Sequence, residues 1–187
     1  MKVSPSRLPE CLLIEPQVFG DARGSFHEQW NVERFREAGL GLRFVQSNVS
    51  ESGRGVLRGL HYQWPHPQGK LVSVLAGEVY DVAVDIRRGS PTFGHWAAAV
   101  LSAENHRQFW IPEGFAHGFQ VLSDHAVFHY LCTDVYHRDA DAGLRWNDAE
   151  LAIDWPIAEP GLSDKDARAP FLAEVPAERL PPYPVPA

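Results

Sequence analysis

The chain has 187 residues, and 17 Lys and Arg stand against 24 Asp and Glu for a formal net charge of −7. That length suits one compact domain, and 44% hydrophobic against 22% charged residues is globular composition, not the charge-rich, apolar-poor signature of disorder. An acidic chain without a basic run offers no footprint for phosphate-rich DNA or RNA, which excludes nucleic acid as a partner.

The N-terminal segment Met1-Lys2-Val3-Ser4-Pro5-Ser6-Arg7-Leu8-Pro9 has no apolar stretch of the kind a secretory signal needs. Strands are expected at Leu12–Val18, Phe26–Trp30, Arg43–Ser50 and Val56–Gln63, with turn clusters at Gly20-Asp21 and Gly53-Arg54-Gly55. Between them the pattern predicts a short helix over Val32–Ala38, with Asn31 as its cap and Gly39 just past its end.

Leu71–Leu75 and Val79–Arg87 read as partner strands joined by Ala76-Gly77-Glu78. In the second of these, Tyr80, Val82, Val84 and Ile86 face one way. Asp81, Asp85 and Arg87 share the other side with Val79 and Ala83. Further strands are expected at His95–Leu101, Gln108–Ile111, Gly118–Leu122 and Ala126–Thr133, broken by Gly89-Ser90-Pro91 and Ser123-Asp124. The longest clean apolar run, Trp96–Leu101, falls far short of the roughly 20 residues that cross a bilayer, so no membrane partner is expected.

Ser163-Asp164-Lys165-Asp166 fits a capping box, which predicts a second helix starting at Ser163. Seven of the fifteen prolines fall in the last 28 residues. From about residue 160 the tail should therefore wrap the body as extended chain or small helices, within a single domain spanning 1–187. Many short strands with no long helix between them mean a sandwich or barrel, not a parallel α/β sheet. Cys11 and Cys132 share no metal-ligand spacing and read as two free, buried thiols, with the reducing cytoplasm as default compartment.

Pro112-Glu113-Gly114-Phe115-Ala116-His117 has the P-x-G-x-x-H spacing and resembles the second motif of the cupins, small jelly-roll barrels whose histidines often hold a metal. A metal-binding first motif places two histidines two apart on one strand, so that both rings enter the barrel, and follows them with a carboxylate. Here His61 is followed by Gln63, and Lys70-Leu71-Val72 stands where the carboxylate is wanted. His125 and His129 would lie about 13 Å apart on a strand and cannot share one ion. No bound metal is expected.

The most unusual segment is Val56-Leu57-Arg58-Gly59-Leu60-His61-Tyr62-Gln63. As a regular strand it aims Arg58 and His61 at opposite faces, unless a bulge at Gly59 re-aims them. Other motifs accompany it in order: Phe19-Gly20-Asp21-Ala22-Arg23-Gly24 with Phe26 and Glu28, Gln46-Ser47-Asn48, and Gln68-Gly69-Lys70. Beyond these come Asp81–Arg87, Ser90-Pro91-Thr92-Phe93-Gly94, Ile111–Phe119, Tyr130, Tyr136, and Leu162-Ser163 with Lys165-Asp166. Together they resemble the dTDP-4-dehydrorhamnose 3,5-epimerases, metal-free cupins of dTDP-L-rhamnose synthesis.

The resemblance implies an all-β, cupin-type jelly-roll barrel with a few short peripheral helices. It also implies a homodimer, in which N-terminal strands can be exchanged between subunits, and no cofactor. The implied substrate is a dTDP-linked 4-keto-6-deoxy sugar, inverted at carbons 3 and 5. Both carbons flank the C4 carbonyl, so their hydrogens are acidic only if the enolate is stabilised. Such a site needs a base on one face, an oxyanion partner, and an acid on the opposite face.

By the same resemblance His61 is the base and Asp166 the carboxylate that orients it. Residue pattern alone makes Asp166 a helix-capping position, and two carboxylate oxygens allow both roles. Lys70 is the implied oxyanion partner, with Asp81 as the group that pairs with it, and Tyr130 is the implied proton donor. Arg23, Arg58 and Lys165 supply cations for a diphosphate. Glu28, Gln46 and Asn48 offer directional partners for base or sugar, Tyr136 stacks on thymine, and His117 contacts substrate or phosphate. Asp141 stands where relatives commonly carry glutamate, one methylene shorter for a nucleotide contact.

Three other readings stay open. One is a 3-epimerase of a related sugar, which shares base and oxyanion partner. Another is a metal-dependent cupin enzyme, disfavoured by Gln63 and the missing carboxylate. The third is a non-catalytic nucleotide-sugar module, disfavoured by the full set His61, Lys70, Tyr130 and Asp166.

Overall fold

The computed structural model describes residues 1–185 and forms, among them, two antiparallel sheets and a separate hairpin. The larger sheet runs, in spatial order, β1 (Lys2–Pro5), β2 (Leu12–Glu15), β10 (Gln108–Ile111), β7 (Lys70–Ala76), β12 (His125–Cys132) and β5 (Gln46–Gly53). The smaller runs β13 (Asp141–Gly143), β6 (Leu57–Gln63), β11 (Phe115–Val121), β8 (Glu78–Asp85) and β9 (Trp96–Ser102). The hairpin pairs β3 (Val18–Asp21) with β4 (Gly24–His27). Neighbours distant in sequence, such as β5 beside β12 and β6 beside β11, are the crossovers of a cupin-type jelly roll.

Period-two alternation turns every second side chain of each strand into the space between the sheets. Val72, Val74, Phe109, Phe119, Val121 and Phe128 meet there in one apolar cluster. The rings of Phe119 and Phe128, from opposite sheets, stack with centroids 4.0 Å apart. Burying a ring the size of Phe128 stabilises the fold by about 1.5–3 kcal/mol.

The strand read as Val79–Arg87 shows how the layers are used. Its polar side, with Asp81, points inward beside Val79 and Ala83. Its apolar side, with Val82, Val84 and Ile86, points outward, where Leu144, Leu151, Leu172 and Leu180 from the C-terminal part of the chain bury it. The outer face of the larger sheet is covered near Ile14, Leu71 and Trp110 by Phe35 and Leu40. Phe35 lies on α1 (Val32–Glu37), whose first amides, on Glu33 and Arg34, donate to Asn31 Oδ1 at 3.1 and 3.2 Å, as the cap pattern predicts. Gly39, at φ +85°, follows its end.

Three differences from the expected elements have simple causes. Leu12–Val18 divides into β2 and β3 around Pro16, which cannot donate to a ladder. β11 starts at Phe115 instead of Gly118, because pairing with Val84 and Asp85 carries the ladder through Ala116 and Phe115. β1 and β13 are too short to show alternation and form only by pairing with β2 and β6. Among the described residues no helix is long and apolar enough to cross a membrane.

Candidate active site

The site is organised by an irregularity in β6. His117 pairs with His61, but Phe119 pairs with Arg58, so two steps along β11 answer three along β6. The extra residue is accommodated at Gly59, which sits at φ +125° against Gly118. This bulge reverses the alternation. Arg58 and His61, which a regular strand would aim oppositely, line one 440 Å³ cleft together with Ser163, Lys165 and Asp166.

Asp166 reaches His61 from α2 (Asp164–Ala167), across 105 residues of sequence. Its Oδ1 lies 2.6 Å from His61 Nε2. Ser163 Oγ accepts from the Asp166 amide at 3.1 Å, so half of the capping box forms. The carboxylate itself turns to the imidazole. Burial pushes Asp166 upward, but hydrogen bonds from His61, Ser163 and the Gly59 amide outweigh it and hold the carboxyl below its ordinary value. An ionised Asp166 keeps a proton on the facing imidazole nitrogen and leaves the lone pair on the other one.

His61 also lines a smaller cavity of 110 Å³, together with Lys70, Tyr130, Gln46, Asn48, Tyr136 and Asp141. Lys70 is the first residue of β7 and is 8% exposed. Burial lowers its pKa, against the opposing influence of Cys132, Asp141 and Asp81. Tyr130 is raised by burial, so its phenol stays protonated at neutral pH. Gln46 and Asn48, two apart on β5, share a face and a hydrogen bond of 3.2 Å. Gln46 Oε1 accepts from the Tyr136 amide at 2.8 Å, and the Tyr136 hydroxyl donates to Asp141 at 3.1 Å. Asp141 also pairs with Lys165. The shorter acid therefore links the aromatic ring to the lysine of α2.

His117 and Asp81 form a second, buried pair, with Nε2 2.9 Å from Oδ2. Asp81 thus takes its hydrogen bond from His117, while its charge still favours the ammonium of Lys70. Asp81 and His117 lie on adjacent strands β8 and β11 with both side chains inward, and Lys70 faces them from the opposite sheet. Burial lowers the His117 pKa against the pull of Asp81. Two expected ligand contacts are not gathered within this chain. Arg23 extends from the β3–β4 hairpin with its side chain 90% exposed and paired to Asp21. Glu28 engages Arg34 at 3.4 Å and Asn31 at 3.1 Å.

Gln63 is a brace that residue spacing does not reveal. Its amide donates to the carbonyls of His66 and Val135 at 2.6 and 3.2 Å and accepts from the His137 amide at 2.8 Å. A buried glutamine on an inward-facing strand position was the available signal. Cys11 and Cys132 are both free and buried. The sulfur of Cys132 lies 3.8 Å from the Asn48 amide nitrogen.

Fold and site together place the chain among the cupin-type jelly-roll enzymes. The model of one family, dTDP-4-dehydrorhamnose 3,5-epimerase, matches residues 5–174. The enzyme of that name from Pseudomonas aeruginosa is 54% identical over 176 residues, covering 93% of this chain and 97% of its own. That of Shigella flexneri is 55% identical over 168 residues, covering 89% and 93%. A crystal structure of the Legionella pneumophila dTDP-6-deoxy-D-glucose-3,5-epimerase in complex with dTDP-4-keto-L-rhamnose superposes with a TM-score of 0.94. It has 55% identity and covers 97% of this chain and 98% of its own. The chain belongs to the dTDP-4-dehydrorhamnose 3,5-epimerase family, and it is an isomerase.

Proposed function

We propose that this protein inverts C3 and C5 of dTDP-4-dehydro-6-deoxy-D-glucose to give dTDP-4-dehydro-L-rhamnose, using its own side chains as acid and base. The observation that carries the mechanism is the 2.6 Å His61–Asp166 pair opening on a cavity that Lys70 and Tyr130 also line. His61 takes the hydrogen beside the C4 ketone as a proton, and its electron pair moves onto the C4 oxygen. Asp166 supports the imidazolium that forms. Lys70, buried and favoured as a cation by the nearby Asp141 and Asp81, stabilises the enolate oxygen more than the neutral ketone.

Tyr130 then gives its phenolic proton to the opposite face of the carbon, which inverts it. Solvent reprotonates the phenolate and takes the proton from the imidazolium, and the cycle repeats at the second carbon. Arg58 and Lys165 flank the cleft as diphosphate partners. Gln46, Asn48, Tyr136 and Asp141 receive the thymidine, and His117, the cross-strand neighbour of His61, is the remaining candidate for a substrate or phosphate contact.

Arg23 and Glu28 reach a substrate only if the N-terminal hairpin serves a second subunit. Its exposed Phe19 and Phe26, 55% and 70% accessible, favour a homodimer in which this hairpin is covered by the partner. Residues 1–187 act as one epimerase domain, and two free thiols suit a reducing cytoplasm.

The test is nuclear magnetic resonance of the product formed from dTDP-4-dehydro-6-deoxy-D-glucose in deuterated buffer. Deuterium enters at both C3 and C5, and His61→Ala abolishes its entry. Label at C3 alone would replace this reading with a 3-epimerase. Exchange undiminished in His61→Ala would remove the base.

A further inference from the structure

Outside the epimerase site, His66, Asp134 and His137 bring three donor atoms within 4.8 Å of one another. His66 lies in the β6–β7 connection, while Asp134 and His137 lie in the β12–β13 connection. Asp134 Oδ2 is 3.9 Å from His66 Nδ1 and 3.9 Å from His137 Nε2. We propose that this trio is a binding site for a borderline divalent transition-metal ion of the zinc, cobalt or nickel class.

The donor chemistry selects that class. Two imidazoles and one carboxylate suit zinc and its neighbours, whereas calcium and magnesium require oxygen cages. The site is also prepared independently of its own side chains. Gln63, 5% exposed, ties the backbone carbonyl of His66 to the backbone of Val135 and His137, so one buried side chain fixes both connections in register. His66 is held there at φ +67°, an uncommon conformation for a side-chain-bearing residue. Three ligands leave a fourth, solvent-facing position open.

One adjustment is required. The two imidazoles stack with centroids 4.1 Å apart and planes 15° from parallel, so their lone pairs run side by side. Tetrahedral ligands at zinc distances stand about 3.3 Å from each other. The side chain of His66, 54% exposed, can rotate to meet that geometry. The ion then bridges the two connections, including the segment that carries Tyr136.

Titration of the full-length protein, freed of any polyhistidine tag, with zinc chloride by calorimetry tests the site. One ion binds per chain. Binding is lost in His66→Ala, in His137→Ala and in Asp134→Asn, and is unchanged in His125→Ala, at the far end of β12. The cobalt complex shows the intense visible bands of tetrahedral coordination, and these disappear in the same three variants. Because the ligands are surface groups, the variants keep the metal-free melting temperature of the parent protein. Absence of binding in the parent, or binding that survives all three substitutions, overturns the proposal.

Discussion

Gly59 and Gly118 approach so closely across β6 and β11 that a Cβ on Gly59 would stand 2.5 Å from the Gly118 Cα and 2.8 Å from the His117 carbonyl. Neither contact can relax by moving a side-chain tip, and φ +125° is unfavourable for an L side chain. Gly59→Ala therefore costs at least about 2 kcal/mol of stability, measured as a shift in urea midpoint. It also separates Arg58 from His61 and lowers activity. Gly53→Ala, whose Cβ would meet only the Asp124 carbonyl at 3.8 Å, is the matched control and leaves the midpoint nearly unchanged. Equal behaviour of the two variants would remove the bulge from the account.

The depressed Asp166 carboxyl makes a signed prediction for acid stability. Its ionised form is favoured in the folded state, so its contribution is complete above the unfolded carboxyl value of about 3.9. It disappears as the pH falls towards the lower folded value, because the unfolded chain takes up the proton first. The difference in melting temperature between the parent and Asp166→Asn should be constant above about pH 5 and shrink below about pH 4. A difference that does not change over this range would show that the pair lends no ionisation-linked stability.

Lys70 is sequestered by the folding of the larger sheet and takes no ion pair from Asp81. The role proposed for it at the enolate oxygen predicts that Lys70→Gln lowers kcat by about 10²–10³, the cost of losing one oxyanion partner. KM should change far less, since the interaction grows only in the transition state. A rise in KM with kcat preserved would make Lys70 a ground-state binding residue.

In the proposed mechanism Tyr130 separates abstraction from inversion. Tyr130→Phe keeps the aromatic packing near Phe128, whose centroid is 5.9 Å away, and removes only the hydroxyl. Solvent deuterium should still enter the substrate through His61, while inverted product falls sharply. Unchanged turnover would take the phenol out of the reaction.

Much of the architecture was legible because turns, caps and alternation are properties of consecutive residues. Gln108–Ile111 matched its expected bounds, and the Asn31 cap and the Ser163 helix start lie where their patterns place them. The candidate site was legible as a set of residue types held together by a family resemblance. Its geometry was not. Asp81 reads from sequence as a partner for Lys70, and only the pairing of β8 with β11 shows that its hydrogen bond comes from His117.

Strand content, the capped helices and the absence of the usual cupin ligand pair were thus contained in the primary structure, since each rests on spacing of a few residues. Folding alone settled that the polar side of β8 turns inward beneath a proline-rich tail, that Gly59 rotates Arg58 and His61 into one cleft, and that Asp166 meets His61. These depend on register between strands and helices far apart along the chain, and a shift of one residue would send each of those side chains to the other face.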